Sequence, residues 1–418
     1  MTSIEDFGAG MLKQEAPSFT LLPDPPRAPR FHTLISVDDH LVEPRDTFEG
    51  RLSSKFAERA PRVIQTDDGL ESWFYDGRLM PQLSIAATAG RPVKEWGFEP
   101  ARFDQMRSGA WDINARIQDM NIDGVYASLN FPSFLCGFGG GRLQTATKDL
   151  DLALAVVRAW NDWHVESWAG AYPDRIIPCQ IPWLHDPEVG AKEVRRNAQR
   201  GVRAISFPED PAMLGMPSIF TNHWDPILDA CQETGTVVCL HTGSGGSLPS
   251  HPANAPSDVY TVHFGSYAVL PTIDWLFSLV PLRFPDIRIV MSEGGIGWVM
   301  PLIDRLNHGE RIADYQPTFS ALQRAGISPK DLLLRNFWFC ALDDPSSIGE
   351  AEQIGSHKVM IEADYPHPDS SWPNTQSHVA EQMSTLSEDS VEAITWRNAS
   401  GLFEHPVPDS VIRDPNAF

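Results

Sequence analysis

The sequence predicts a single large α/β barrel of the eight-stranded (β/α)8 type, and three observations carry that expectation. Eight short apolar runs alternate with longer stretches of helical periodicity, as repeated βα units require. No Gly-x-Gly-x-x-Gly follows the first run, which argues against a doubly wound dinucleotide-binding sheet. Polar residues able to grip a metal fall at the C-terminal ends of several runs, the face on which barrels carry their active sites. A length of 418 residues suits such a barrel with additions.

In chain order, residues 1–30 read as an irregular arm ending in the Pro-rich LLPDPPRAPR, placed to wrap the surface or reach a neighbouring subunit. Residues 31–418 then form one barrel domain. Its expected strands are Leu34–Asp38, Gly124–Leu129, Arg175–Ile181, Ala204–Phe207, Val237–Leu240, Ile287–Met291, Phe337–Phe339 and Lys358–Ile361. Apolar residues at three- and four-residue spacings predict a helix over Lys148–Ala169. Asp186–Arg200 opens with HDPE, an N-cap followed by an early proline, and Trp224–Thr234 stops at Gly235. Ser387–Phe403 reads as the last barrel helix. About 80 residues separate the first two strands, far more than an ordinary βα loop. Residues 44–110 are therefore expected to cap the barrel mouth. Trp73, Tyr75, Trp96 and Phe98 within the cap suit an apolar or aromatic ligand, although packing is the simpler account of each.

Bulk properties exclude several functions. With 33 basic against 55 acidic residues the net charge is −22, and such a surface repels nucleic-acid backbones. No run approaches the ~20 apolar residues of a membrane span. The N-terminus lacks a secretory pattern, and the five cysteines are scattered singly without a CxxC pair. Buried free thiols and a cytoplasmic location are expected.

The chemistry is expected where strands end. In SVDDHLVEP, Asp38 and His40 project to one side of an extended chain, since side chains alternate with period two. Alone, this pair reads more readily as a surface turn. His241 terminates the apolar TVVCL before a Gly/Ser loop, as either a ligand or a buried structural histidine. Glu293 ends the sixth strand before GGIGW, as either a catalytic carboxylate or the charge that opens the next helix. Asp364 ends the eighth strand in ADYPHP, where an acid needs a positive partner. Together Asp38, His40, His241 and Asp364 make a mixed N/O shell for one divalent ion, Zn²⁺ first and Mn²⁺ second.

VDDHLVEP, NDWHVESWAGAYPDRI, HWDPILDACQETGTVVCLHTGSG, FPDIRIVMSEGGIGWVMPLIDRL and IEADYPHP together resemble the amidohydrolase superfamily, over roughly Leu34 to Phe403. The branch resembled is amidohydrolase-2, which includes aminocarboxymuconate semialdehyde decarboxylase and the hydroxybenzoate-type decarboxylases. The resemblance implies that Asp38 stands where the family usually has the first histidine of D-x-H-x-H, with Ser36 at the leading aspartate. It implies that His241 and Asp364 are the strand-5 and strand-8 ligands. It also implies that Glu293 replaces the usual strand-6 acid/base histidine, and that the protein is a homodimer. The leading expectation is a metal-dependent carboxy-lyase acting on a small aromatic or unsaturated carboxylic acid. Asp364, Glu293 and His241 would be catalytic, and Arg305, Trp298, Tyr365 and His367 would contact substrate, Arg305 having a structural role on its helix as the competing reading. The alternatives are metal-dependent hydrolysis of an amide, lactone or ester, and a non-catalytic binding protein on the same barrel.

Overall fold

The computed structural model describes residues 2–3, 20–67, 69–80, 87–96, 102–133, 135–248, 251–252, 254–256 and 258–418. Phe98 and most of the N-terminal arm lie outside the described residues.

Eight parallel strands form the barrel wall: Ile35–His40, Ala127–Phe131, a third in two pieces, Ala204–Ser206, Val237–His241, Ile289–Ser292, Phe337–Ala341 and Val359–Ile361. The third strand was expected to run unbroken to Ile181. Instead Pro178, which has no N–H to give a ladder, separates Ile176–Ile177 from Cys179–Gln180. The first piece pairs with strand 2 and the second with strand 4, so the two pieces join the two halves of the sheet. The ring closes where Asp364 N donates to Asp38 O (2.9 Å) and His40 N to Tyr365 O (2.7 Å). Several strands also reach further toward the mouth than their apolar runs suggest. The ladder pairs His40 with Phe131 and His241 with Ser292, so these polar residues are strand positions and not loop.

Side chains alternate between two buried clusters. Val238, Leu240, Ile289, Met291, Val359 and Ile361 pack with helical side chains, while Cys239, Val290 and Met360 belong to the second cluster. All five cysteines are buried and free.

The helices follow their capping signals. Asp186 caps Pro187–Ala198 by accepting from Glu188 N and Val189 N, and Gly235, at φ 67°, ends Asp225–Thr234. Two expected helices are interrupted. Leu150–Trp163 passes into a π-helical turn at His164–Trp168, and the last helix is broken by another at Ala393–Arg397. No described helix is long and apolar enough to cross a membrane.

Between strands 1 and 2 lies a three-stranded antiparallel sheet, Arg62–Gln65, Glu71–Tyr75 and Arg78–Met80. Trp73 and Tyr75 are fully buried in its packing. Residues 20–30 lie against their own chain: Leu22 N donates to Gly90 O (2.8 Å), Ala28 N to Ile122 O (2.7 Å), and Asp24 pairs with Arg107 (2.8 Å).

Candidate metal centre

Strand 1 delivers its two ligand candidates because its register against strand 2 shifts between Ser36 and Asp39, a bulge of the kind that re-aims side chains. Asp38 and His40 turn toward the barrel mouth. Asp39 turns away, where it accepts from Ser36 Oγ (2.9 Å) and Tyr365 N (3.2 Å) and faces Arg116 at 3.7 Å. His241 donates from Nδ1 to Thr242 O (2.7 Å), which fixes its tautomer and leaves Nε2 directed into the site.

That Nε2 lies 3.0 Å from His40 Nε2, 3.5 Å from Asp38 Oδ1 and 3.1 Å from Glu293 Oε2. His40 Nε2 is in turn 3.4 Å from Asp38 Oδ1 and 3.6 Å from Asp364 Oδ1. His367 completes the cluster, with Nδ1 3.0 Å from Asp364 Oδ1 and its ring stacked 3.8 Å from that of His40.

The electrostatics of this group call for a cation. Both carboxylate oxygens of Asp38 and of Asp364 are buried without a hydrogen-bond partner. Burying such groups unpaired is costly. Burial raises the pKa of Asp38, and burial together with Glu293 and Asp38 holds that of Asp364 well above its ordinary value. Burial pulls His241 down, yet the carboxylates of Asp38 and Glu293 overcome it and lift the imidazole to about 10. A proton on His241 thus does the work of an ion among the acids. His40 is held well below its ordinary value by burial and by the neighbouring His367 and His241, so it is a neutral nitrogen donor. The donor atoms of Asp38, His40 and His241 all lie within 4.8 Å of one another, as do those of His40, Asp364 and His367. Two nitrogens and two or more carboxylates fit a divalent ion of the Zn²⁺ or Mn²⁺ class.

The sequence-derived set is thus brought together in Asp38, His40, His241, Glu293, Asp364 and His367. Three other residues stand elsewhere. Arg305 is exposed on the helix Val299–Arg311, beside a separate apolar groove with Ile273 and Phe319. Trp298 donates to Gly294 O (2.7 Å) and packs edge-on against Phe339. The Tyr365 hydroxyl donates to Asp119 Oδ2 (2.5 Å), and its ring lies 4.4 Å from the Arg116 guanidinium.

Three residues escaped the sequence reading. Phe138 closes the site from one side, its ring 4.5 Å from His241 and 4.9 Å from His40. Glu209, after strand 4, accepts from Gly243 N (2.7 Å), and burial pushes it up to about 8. Glu362 accepts from Glu293 N (3.0 Å). Its place directly after the apolar run that ends at Ile361 was the available signal for it. A cleft of about 530 Å³ opens beside Glu293 and Glu362.

Residues 68–404 match the family model described as Amidohydrolase. The chain belongs to the amidohydrolase family. This match begins after the first strand, so Asp38 and His40 rest on the geometry. Among curated proteins, this amidohydrolase is 25% identical over 272 residues to the 2-amino-3-carboxymuconate-6-semialdehyde decarboxylase of Dictyostelium discoideum, covering 64% of this chain and 70% of that protein. Its fold is similar to that of an amidohydrolase from Mycobacterium avium subsp. paratuberculosis, with a TM-score of 0.70, 23% identity, and 89% and 99% of the two chains covered. It is also similar to a 5-carboxyvanillate decarboxylase of Novosphingobium aromaticivorans that has bound manganese, with a TM-score of 0.58, 16% identity, and 91% and 100% coverage.

Proposed function

We propose that this amidohydrolase removes CO₂, without oxidation, from a small aromatic or unsaturated carboxylic acid, using one divalent ion, Mn²⁺ or Zn²⁺. The observation that carries the reading is a buried carboxyl group, Glu293, set against the metal-type cluster with its Oε2 3.1 Å from His241 Nε2. Burial, with Asp38, Asp369 and Glu209 adding to it, pushes Glu293 up to about 8 against the opposing pull of His241, whose ring is 3.1 Å away. Cleaving a C–CO₂⁻ bond requires a proton for the carbon left behind, and an acid with a raised pKa supplies it near neutrality. The names of the relatives, decarboxylases of carboxylated muconate and vanillate, support the same reaction type.

Asp38, His40, His241 and Asp364 are the residues that would hold the ion. When bound, the ion supplies a Lewis acid that neutralises and orients the substrate carboxylate. Glu293 Oε2 delivers a proton to the carbon bearing that carboxylate. The C–C bond then breaks, its electron pair restores the π system, CO₂ leaves, and Glu293 regains a proton from water. His241 positions Glu293, and Phe138 excludes water from the histidine pair.

The test is incubation of Mn²⁺- and Zn²⁺-loaded protein with panels of hydroxybenzoates and unsaturated acids while CO₂ is recorded. Metal-dependent CO₂ release with a one-carbon-shorter product supports the proposal. Cleavage of esters, lactones or amides by the same preparation without CO₂ release would overturn it in favour of hydrolysis.

A further inference from the structure

Tyr365 follows the ligand candidate Asp364 and is tied down at three points. Its N donates to Asp39 Oδ1 (3.2 Å), its O accepts from His40 N (2.7 Å), and its hydroxyl donates to Asp119 Oδ2 (2.5 Å). Asp119 is fixed in its turn by Arg107, whose Nε donates to Oδ2 (2.8 Å) and whose Nη2 donates to Oδ1 (2.6 Å). A two-pronged pair of this kind holds a carboxylate in one orientation.

Asp119 lies on the helix Ile113–Asp123, and one turn before it the same face carries Arg116. Arg116 is fully buried; its Nη2 donates to His40 O and its Nε to Gly109 O (2.7 Å), and its Nη1 lies 3.7 Å from Asp39 Oδ2. One helix therefore grips both strand ends at the seam where the barrel closes. Arg116 holds the backbone of His40, and Asp119 holds the residue after Asp364.

Arg116, Asp39 and Asp119 are all buried at this seam. For stability alone, apolar side chains of similar volume serve as well or better than buried ions. What the ions add is fixed geometry. The Asp364 carboxylate has no hydrogen bond of its own, so the backbone that carries it sets its distance from His40, 3.6 Å between Oδ1 and Nε2. A metal site tolerates errors of only about 0.5 Å in such placement.

We infer that Asp119 is a positioning residue of the metal centre: through the Tyr365 hydroxyl it sets where Asp364 stands relative to His40, and so how tightly the site grips its ion. The inference rests on the reading that Asp38, His40, His241 and Asp364 hold one divalent ion.

The experiment titrates Mn²⁺ into chelator-treated protein, with the free ion followed by electron paramagnetic resonance and the metal-free melting midpoint recorded alongside. Tyr365→Phe removes one oxygen and keeps the ring; Asp119→Asn keeps the shape and removes the charge. Each is expected to weaken Mn²⁺ binding about 10- to 100-fold, as loss of an outer partner of a metal ligand usually does. The double variant is expected to lose no more than the worse single one, because the hydroxyl acts through Asp119. Thr375→Val is the control. It removes a hydrogen bond of the same kind on the same helix, Thr375 Oγ1 to Asp123 Oδ2 (2.6 Å), that leads to no ligand. Its midpoint should fall while its Mn²⁺ affinity stays within about twofold of the parent's, as for an independent site. Single variants that bind Mn²⁺ no worse than Thr375→Val, or losses that multiply in the double variant, would overturn the inference and leave the metal reading standing. A parent protein that takes up neither Mn²⁺ nor Zn²⁺ would overturn both.

Discussion

Glu293 and Asp364 share a backbone conformation that side-chain-bearing residues rarely adopt, with φ of 54° and 50°. Left-handed conformations at such residues cost on the order of 1–3 kcal/mol and persist where the surroundings impose them. Glu293 directly follows the strand Ile289–Ser292 and Asp364 comes three residues after Val359–Ile361, and at both places the chain turns away while the carboxylate stays at the mouth. Asn tolerates this conformation well, which makes Asp364→Asn a clean test of the ligand role. The variant is expected to lose most of its affinity for Mn²⁺ and its metal-induced thermal stabilisation. Its metal-free midpoint should match or exceed that of the parent, because an unpartnered buried acid has been removed. A fall in the metal-free midpoint would instead make Asp364 a structural residue. Glu293→Gln should keep metal content unchanged and lower kcat about 10²-fold or more, the usual worth of a positioned acid; metal analysis alongside single-turnover CO₂ release separates the two effects. The strand-end ligand candidates were readable because period-two alternation and the end of an apolar run are both local. Arg305, exposed beside a separate groove, could not be placed from the sequence, because a lone helical arginine carries no information on which way its helix faces.

At the scale of single elements, the loop after strand 2 matters most to the site. Phe138 is itself at φ 44°, and the glycine after it sits where a Cβ would meet Pro208 N at 3.0 Å and Ser244 O at 3.1 Å. A Cβ there would force these backbones apart by a few tenths of an ångström, and the close approach that glycine permits sets the Phe138 ring against His40 and His241. Phe138→Ala should retain the metal, lose stability on the order of 3 kcal/mol as buried phenylalanines do, and lower kcat/KM as water reaches the imidazoles. An unchanged kcat/KM would reduce the ring to packing. Nothing local in the sequence marks Phe138, since its role depends on loops after strands 4 and 5. The same holds for the π-helical turn at His164–Trp168. It brings Trp168 Nε1 within 2.7 Å of Asn130 Oδ1, a contact on another element that helical periodicity cannot foresee. The strands and most capped helices were legible; what interrupts them is tertiary.

The whole molecule is held closed by contacts between its beginning and its end. Gln376 accepts from Phe31 N (2.7 Å) and His32 N (3.0 Å) and donates to Gly124 O (2.7 Å). Beside it, Asp123 at the end of the helix Ile113–Asp123 accepts from Thr375 N (2.9 Å) and Thr375 Oγ1 (2.6 Å). Burial pushes Asp123 up to about 7, and Asp39 and Asp119 add to this against the Thr375 hydrogen bonds. In the unfolded chain the group titrates near the ordinary ~3.9. Between those values the folded state binds the extra proton, so stability falls as pH rises from about 4 to about 7 and the loss is complete above it. Asn at this position can still accept from Thr375 N and can donate to the hydroxyl, and it has no charge to bury. Asp123→Asn should therefore match the parent near pH 4 and exceed it increasingly toward pH 8, by up to a few kcal/mol. Chelator-treated protein melted at pH 5 and pH 8 reads this directly. A stability gap that stays constant across the window would mean that Asp123 ionises as easily in the folded protein as in the unfolded chain, and that barrel closure is held by the Thr375 hydrogen bonds irrespective of charge.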